Sequence, residues 1–145
     1  MKGAYLLVFK ADKPLRVRVG SLGLLKLPEG YYVYVGSAMG PGGIKARVSR
    51  HRRLAEEGGR RRWHVDYLLT SNQISFIEVW EIESLKPLEC LLSQRLEEVA
   101  DRTVLGFGSS DCRWKCRGHL HYFKAYPKLS ILKVLEGLNL RWRKF

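Results

Sequence analysis

The sequence predicts one mixed α/β domain. Segments with the period-two alternation of strands take turns along the chain with segments of helical spacing, and no repeat, low-complexity tract or linker interrupts them. The 145 residues are enough for one domain with its own core. Because the apolar fraction of 46% is also ordinary for a globular protein, we expect a single domain over residues 1–145.

The first part of the chain predicts a strand, a hairpin and a second strand. Residues 3–10 form a short apolar run that is typical of a buried strand. Leucine or valine alternates with arginine over 15–19, a glycine–serine turn follows, and 22–27 completes a hairpin with its basic side outward. Tyrosine and valine alternate over 30–36, which favours a half-buried strand.

A glycine-rich loop separates this strand from an amphipathic helix. The loop at 36–43 contains four glycines and one proline, and apolar residues at helical spacing then predict a helix from Gly43 to about Glu57. Arg47 and His51 lie four residues apart and share one face of this helix. A glycine loop that leads into a cationic helix is suited to hold a phosphate or another anion.

The second half of the chain continues the alternation of predicted helices and strands. Residues 63–71 favour a short helix, and 74–82 are rich in the β-branched and aromatic residues of a core strand. A proline precedes a predicted helix at about 88–100. Residues 119–126 alternate like another strand, and leucines at helical spacing predict a closing helix over 127–138.

The charge of the chain points to a polyanionic partner. The 26 Lys and Arg residues outnumber the 14 Asp and Glu residues, so the formal net charge is +12. Such a field favours nucleic acid through counterion release and steering, although a basic charge also serves solubility alone. No apolar run is long enough to span a membrane, and the N-terminus lacks a signal-peptide cleavage region, so we expect an intracellular protein.

A segment rich in cysteine and histidine is a candidate zinc site. Cys112, Cys116, His119 and His121 lie within ten residues, and thiolates with imidazoles suit Zn²⁺. Their C-x3-C-x2-H-x-H spacing is not a standard zinc motif. The alternatives are a disulfide between the two cysteines or thiols that stay reduced, and an intracellular setting argues against a disulfide framework.

Four features occur in an order that resembles the GIY-YIG nuclease superfamily. They are GAY at 3–5, YVG at 34–36, an arginine-bearing helix about a dozen residues later, and a glutamate, Glu89, at the start of a later helix. More closely, the chain resembles a mainly archaeal branch of that superfamily, sometimes fused to a base-excision glycosylase. The resemblance extends from Gly3 to about Phe123 and is carried by YVYVGSAMGPGGIKARVSRH, WHVDYLL, LECLL and FGSSDCRWKCRGHLHYF.

The resemblance implies a small, mainly antiparallel sheet flanked by helices, with three strands at its core. The hairpin at 15–27 would then be an insertion that lengthens the interval between the two tyrosine motifs, and 105–145 would be a C-terminal strand–helix extension. The resemblance also implies an endonuclease that hydrolyses phosphodiester bonds with a divalent metal ion, with a role in DNA repair.

The roles that this chemistry requires can be assigned to five residues. Glu89 would supply a hard oxygen ligand to Mg²⁺ or Mn²⁺. Arg47 would offer the phosphate a planar, permanently charged fork. Tyr5 or Tyr34 would accept a proton from water if its pKa fell well below the ordinary value of about 10. His51 is the other candidate, as a base, a phosphate contact or the acid for the leaving group.

We expect further residues around these five to contact nucleic acid, with DNA favoured over RNA. These contacts belong to the glycine loop, the basic helix and the arginine loop that follows it: Gly36, Ser37, Lys45, Arg50, Arg52, Arg53, Arg60, Arg61, Arg62 and His64. Position 37 is serine where many active members of the superfamily carry a lysine nearby. Lys45 is the residue that would have to substitute for it.

Two other functions fit the same residues. The first is a binding module with the same fold and a decayed site, which would recruit a repair partner to nucleic acid through its basic face and the tail at 142–145. The second is a small zinc-stabilised interaction protein. Taken singly, each candidate also has a structural interpretation, as a sheet tyrosine, a solvated helix face or a glutamate that complements a helix N-terminus.

Overall fold

An antiparallel sheet forms the centre of the computed structural model, which describes residues 1–108 and 116–145. Within these residues the elements follow in the order β1 (Gly3–Ala11), β2 (Leu15–Arg18), β3 (Leu24–Leu27), β4 (Gly30–Ala38), α1 (Gly43–Glu57), α2 (His64–Leu69), β5 (Ser75–Glu83), α3 (Glu89–Val99), β6 (Arg102–Thr103), β7 (Leu120–Phe123), α4 (Lys128–Gly137) and β8 (Trp142–Lys144).

Six of these strands form the main sheet, in the order β6-β7-β4-β1-β5-β8, and every neighbouring pair is antiparallel. Strands β2 and β3 form the separate two-stranded hairpin that the sequence predicts. The predicted mixed fold with a mainly antiparallel sheet is therefore confirmed. None of the helices in the described ranges is both long and apolar enough to cross a membrane.

The central strand β1 is buried on both faces, which explains its continuous apolar run. Because side chains alternate along a strand, Tyr5 and Leu7 pack on one face into the core shared with α1, α2 and the hairpin. Leu6 and Val8 pack on the opposite face, into the core shared with α3 and α4. Helices therefore cover both sides of the sheet, and the site described below lies at one end of it.

Two short strands were not predicted. Strand β6 has two residues and β8 has three, which is too short for a period-two pattern to show. The basic tail that contains β8 is held by pairing with the edge of β5, where Trp142 lies opposite Ile82 and Lys144 opposite Trp80. The indole rings of Trp80 and Trp142 also pack together, with centroids 4.9 Å apart.

Candidate functional site

A cleft of about 460 Å³ lies where the ends of β1 and β4 meet the first residues of α2 and α3. Four of the five residues predicted to be catalytic line it: Tyr5, Tyr34, Arg47 and Glu89. Ser37, Arg62 and His64, predicted as nucleic-acid contacts, line it as well. The fifth residue, His51, lies directly behind Tyr5.

Gly36 makes room for the ring of Tyr5. The two residues lie opposite each other in the register of β1 and β4. A Cβ atom at position 36 would lie 2.2 Å from the tyrosine ring, which is far inside van der Waals contact. The structure therefore gives this glycine, predicted as a nucleic-acid contact, a packing role between the two tyrosine motifs.

The hydroxyl of Tyr5 is hydrogen-bonded to a buried histidine. Its oxygen lies 2.7 Å from Nε2 of His51, whose side chain is fully buried on the inner side of α1. Burial, together with the charge of Arg50, lowers the pKa of His51 to about 4, so the ring is neutral at pH 7. The neutral ring carries one N–H group, so the direction of this hydrogen bond depends on which ring nitrogen holds the proton.

Neither tyrosine of the cleft has the lowered pKa that a tyrosine base requires. Burial raises the pKa of Tyr5 above its ordinary value, and the positive charge of Arg47 opposes this shift only in part. Burial raises the pKa of Tyr34 as well. Both side chains therefore present neutral hydroxyl groups to the cleft, unlike the tyrosinate that the sequence hypothesis would need.

Trp63 connects two arginines of α1. The guanidinium carbon of Arg47 lies 4.6 Å from the centre of the indole ring, and that of Arg50 lies 4.2 Å from it. Such contacts are favourable because the ring face carries a negative potential. Arg47 forms no ion pair with any described residue, so its charge is available to a ligand in the cleft.

Arg50 is held by a buried carboxylate. Its two terminal nitrogens donate hydrogen bonds of 2.9 Å each to the two carboxylate oxygens of Asp66, which is fully buried. The backbone N–H groups of Arg62 and Trp63 donate to the same carboxylate. Although burial alone would raise the pKa of Asp66, these hydrogen bonds hold it below its ordinary value.

The network of contacts around Asp66 differs from the sequence prediction in two ways. Arg50, predicted as a phosphate contact, is engaged with Asp66, so the structure gives it a structural role. Trp63 and Asp66 were not singled out from the sequence. The one local signal for Asp66 is its position three residues after Trp63, which is the spacing of a carboxylate that caps a helix start.

Glu89 is the first residue of α3, and its carboxylate faces a buried histidine. Its Oε1 atom lies 2.7 Å from Nδ1 of His119, although the pair is not aligned as a hydrogen bond. Nε2 of His119 has no hydrogen-bond partner in the described part of the chain. Glu89 is the one carboxylate among the described residues that line the cleft, and it offers the hard oxygen that Mg²⁺ or Mn²⁺ prefers, with water completing such sites. The cleft therefore fits a divalent cation of this kind.

The structure corrects the predicted zinc role of His121. Its Nε2 atom lies 2.7 Å from the hydroxyl of Ser93, and its Nδ1 atom lies 2.8 Å from the hydroxyl of Thr103. Both ring nitrogens are therefore occupied. Burial lowers the pKa of His121 to about 3, which keeps the ring neutral. This histidine joins α3 to β6 and β7 rather than binding a metal.

A different set of side chains comes close enough to bind a metal ion. The ligand atoms of Cys90, Cys116 and His119 lie within 4.8 Å of one another. Cys90 was not predicted, and Cys112 lies outside the described residues. Cys90 is disulfide-bonded here, whereas the disulfide considered from the sequence joins Cys112 and Cys116, and a disulfide sulfur is not a thiolate ligand. We therefore make no zinc proposal for this set.

The remaining predicted nucleic-acid contacts are exposed and lie outside the cleft: Lys45, Arg52, Arg53, Arg60 and Arg61. His64 differs from them, because its Nδ1 atom accepts a hydrogen bond of 2.8 Å from the backbone N–H of Gly108. Burial lowers the pKa of His64, so at pH 7 it contributes a neutral ring to the cleft.

The start of α1 is closed by the chain's own N-terminus. The backbone N–H of Ile44 donates a hydrogen bond of 2.8 Å to the carbonyl oxygen of Met1. Gly43 has a φ of +62°, and a Cβ there would overlap the same carbonyl group. The expected anion site at this helix start is therefore not formed at Ile44. The cationic groups of the cleft come instead from side chains, Arg47 and Arg62.

The fold and the cleft define a small α+β domain with a tyrosine-lined, cationic cleft. The chain belongs to the family described as domain of unknown function DUF123, whose model matches residues 4–140. No curated protein and no solved structure matches the chain.

Proposed function

We propose that this protein is an endonuclease that hydrolyses phosphodiester bonds of nucleic acid with a divalent metal ion, as do the GIY-YIG nucleases that it resembles. The observation that carries the proposal is the convergence of Tyr5, Tyr34, Arg47 and Glu89 in one cleft, although they belong to four different elements. The order of the motifs along the sequence does not by itself require that these four side chains lie close together in space.

Arg47 supplies positive charge to the phosphate. Its guanidinium is always protonated and presents donors in a planar fork, which suits the oxygens of a phosphodiester. Negative charge accumulates on those oxygens as water attacks, so a fixed cation stabilises the transition state more than the ground state. The stacking of Arg47 on Trp63 limits the positions that its fork can take.

His51 orients the hydroxyl of Tyr5. With the ring proton on Nδ1, Nε2 accepts a hydrogen bond from the tyrosine hydroxyl, and the lone pairs of the phenolic oxygen are left to accept a hydrogen bond from a water in the cleft. The raised pKa of Tyr5 means that this oxygen starts the reaction as a neutral hydroxyl. Its first contribution is thus to position the attacking water.

Glu89 would hold the metal ion, which we propose to be Mg²⁺ or Mn²⁺. A bound divalent cation neutralises phosphate charge and lowers the pKa of hydroxyl groups beside it. His119 packs against the carboxylate of Glu89 from the buried side. Its part in this function is to fix the direction in which the carboxylate points.

The nucleic-acid substrate is supported by the charge of the protein. The net charge is +12, and the predicted contacts on α1 and in the following arginine loop are exposed. We favour DNA as the substrate and a role in repair, in keeping with the resemblance. Phosphate contacts of this kind position a nucleic acid without reading its sequence.

A strand-cleavage assay tests the proposal. Wild-type protein is incubated with branched, flapped and duplex DNA and with single-stranded RNA, in Mg²⁺, Mn²⁺ or EDTA. We expect cleavage of at least one substrate that requires the metal. Arg47→Lys keeps the charge but loses the fork, so it should cleave about 100-fold more slowly. The matched control is Arg95→Lys on the exposed side of α3, where the arginine is ion-paired with Glu98 outside the cleft, and it should cleave normally.

The second candidate function is a nucleic-acid-binding module without catalysis. It is favoured by the raised pKa of both cleft tyrosines and by serine at position 37. Salt-sensitive binding without cleavage in any metal, unchanged by Glu89→Gln, would support this second function and exclude the first.

A further inference from the structure

The hairpin of β2 and β3 presents a row of cations that have no acidic partners. Leu15, Val17 and Leu27 point into the core, so the alternate residues Arg16, Arg18 and Lys26 point outward and are exposed. None of these three cations forms an ion pair with a described residue. Among the described residues, the charged groups on the outer face of the hairpin are therefore all cationic, and the exposed Leu24 lies beside them, opposite Arg18.

The strand register places two of these charges directly opposite each other. Arg16 pairs with Lys26 across the hairpin. Like charges in directly opposed positions destabilise a pair of strands, because their Cβ atoms are only about 5 Å apart. An anion bound between the two side chains would convert this repulsion into attraction.

A hollow beside this pair adds a third cation. Its volume is about 710 Å³, and Arg102 of β6 lines it together with Arg16 and Lys26. Within residues 1–108 and 116–145, no carboxylate lines this hollow. The side chain of Gln73 closes one side and donates a hydrogen bond of 3.2 Å to the carbonyl of Arg16, which fixes the hairpin against the domain.

The hairpin is connected to the cleft by the arginine loop and α2. Arg62 lines the cleft, and the guanidinium of its neighbour Arg61 lies 4.9 Å from the ring centre of Tyr67. That ring also packs against the turn of the hairpin, where a Cβ at Gly20 would lie 3.5 Å from the tyrosine hydroxyl. Basic side chains therefore extend from the cleft across α2 to the hairpin.

We propose that this hairpin is a second contact surface for the phosphate backbone of the nucleic acid, formed by Arg16, Arg18, Lys26 and Arg102. The inference rests on the proposed function, because the bound polyanion is the substrate that enters the cleft. The hairpin contributes affinity and fixes the position of the flanking backbone, and it takes no part in the chemistry.

The salt dependence of binding tests this surface. The affinity of the full-length protein for a DNA duplex is measured by fluorescence anisotropy at several NaCl concentrations, in EDTA so that no cleavage occurs. Each phosphate contact that is removed lowers the slope of log K against log salt by about 0.9. The double variant Arg16→Ala/Lys26→Ala should therefore lower the slope by about 1.8, which makes the loss of affinity between 50 and 200 mM salt roughly 12-fold smaller.

A matched double variant controls for net charge. Lys128→Ala/Lys133→Ala removes the same charge from exposed positions of α4, which covers the opposite side of the sheet. Its slope should equal that of the wild type. Because the hairpin variant removes a like-charge pair, its thermal stability should be equal to or higher than that of the wild type, so misfolding cannot mimic the effect.

The outcomes separate this inference from the proposed function. Equal slopes for the two double variants overturn the hairpin surface and leave the nuclease proposal intact. A reduced slope in the hairpin variant alone supports the surface even where no cleavage is found, and the cleavage assay then decides the enzyme activity by itself. Failure of the wild type to bind nucleic acid overturns both.

Discussion

The hydroxyl oxygen of Tyr5 and Nε2 of His51 lie 2.7 Å apart, although 46 residues separate them in the chain. The bond joins the central strand β1 to helix α1 on one face of the sheet. Nδ1 of the same ring has no partner among the described residues, so this hydrogen bond is the one that the buried imidazole forms within them. The pair therefore contributes both to stability and to the proposed chemistry.

Replacing Tyr5 with Phe should affect both properties. The variant leaves Nε2 of His51 buried without a partner, which should lower the free energy of unfolding by about 1–3 kcal/mol. It also removes the oxygen that positions water, so cleavage should fall about 100-fold or more. Urea unfolding and single-turnover cleavage measure the two effects.

Tyr32→Phe is the matched control for this variant. The hydroxyl of Tyr32 donates to the carbonyl of Pro28, away from the cleft, so its loss should lower stability without changing cleavage. Equal cleavage by the two variants would show that Tyr5 contributes only to packing.

Asp66→Asn should be one of the most destabilising single changes in the domain. The substitution leaves Arg50 without its ion pair and weakens the cap on α2, so we expect the free energy of unfolding to fall by about 3 kcal/mol. Asp101→Asn is the control, because that exposed side chain accepts one hydrogen bond from the backbone N–H of Lys124, which an amide oxygen can still accept. Urea midpoints measure both, and similar midpoints would contradict a structural role for the Arg50–Asp66 pair.

Stability should decrease as the pH falls below about 6.5. His51 and His121 have pKa values lowered to about 4 and about 3, whereas in the unfolded chain both titrate near 6.5. Between the folded and unfolded pKa values of each histidine, the unfolded state binds more protons than the folded state, so acid favours unfolding. Above pH 6.5 neither histidine contributes to the dependence of stability on pH. The full effect for His51 is about 3 kcal/mol.

Urea unfolding at pH 6.5 and about 5.5 measures this dependence before most carboxylates titrate. His121→Gln removes one of the histidines whose pKa is lowered in the folded protein, so the loss of stability between these pH values should be smaller than that of the wild type. If the variant loses as much stability between the two pH values as the wild type does, His121 is not held neutral in the folded protein.

The fold was predictable where the pattern is long. Strand β1 reads as a continuous apolar run because both of its faces are buried, and α1 shows its apolar side at helical spacing over its whole length. The two-residue β6 and the three-residue β8 were not predictable, because each exists only through pairing with a neighbouring strand. Each of these strands has too few residues to show the period-two alternation by which strands are recognised.

The part of the candidate site that could be predicted is the set of residues that the order of the motifs identifies. Tyr5, Tyr34, Arg47 and Glu89 were identified in this way, and the structure places them in one cleft. The residues that support them were missed, because contacts such as Arg47–Trp63 and Glu89–His119 depend on how distant elements pack. The zinc hypothesis for His121 was wrong for the same reason, since its partners Ser93 and Thr103 come from other elements.

In the proposed function, Glu89 holds a metal ion for phosphodiester hydrolysis. The most direct measurement is the rate of strand cleavage in Mg²⁺ and Mn²⁺ by Glu89→Gln, beside Glu97→Gln on the same helix, whose carboxylate lies outside the cleft at 3.9 Å from Arg117. We predict that the first variant binds nucleic acid but does not cleave it, and that the second cleaves like the wild type. Cleavage by Glu89→Gln at the wild-type rate would contradict the proposed role of Glu89 as the metal ligand.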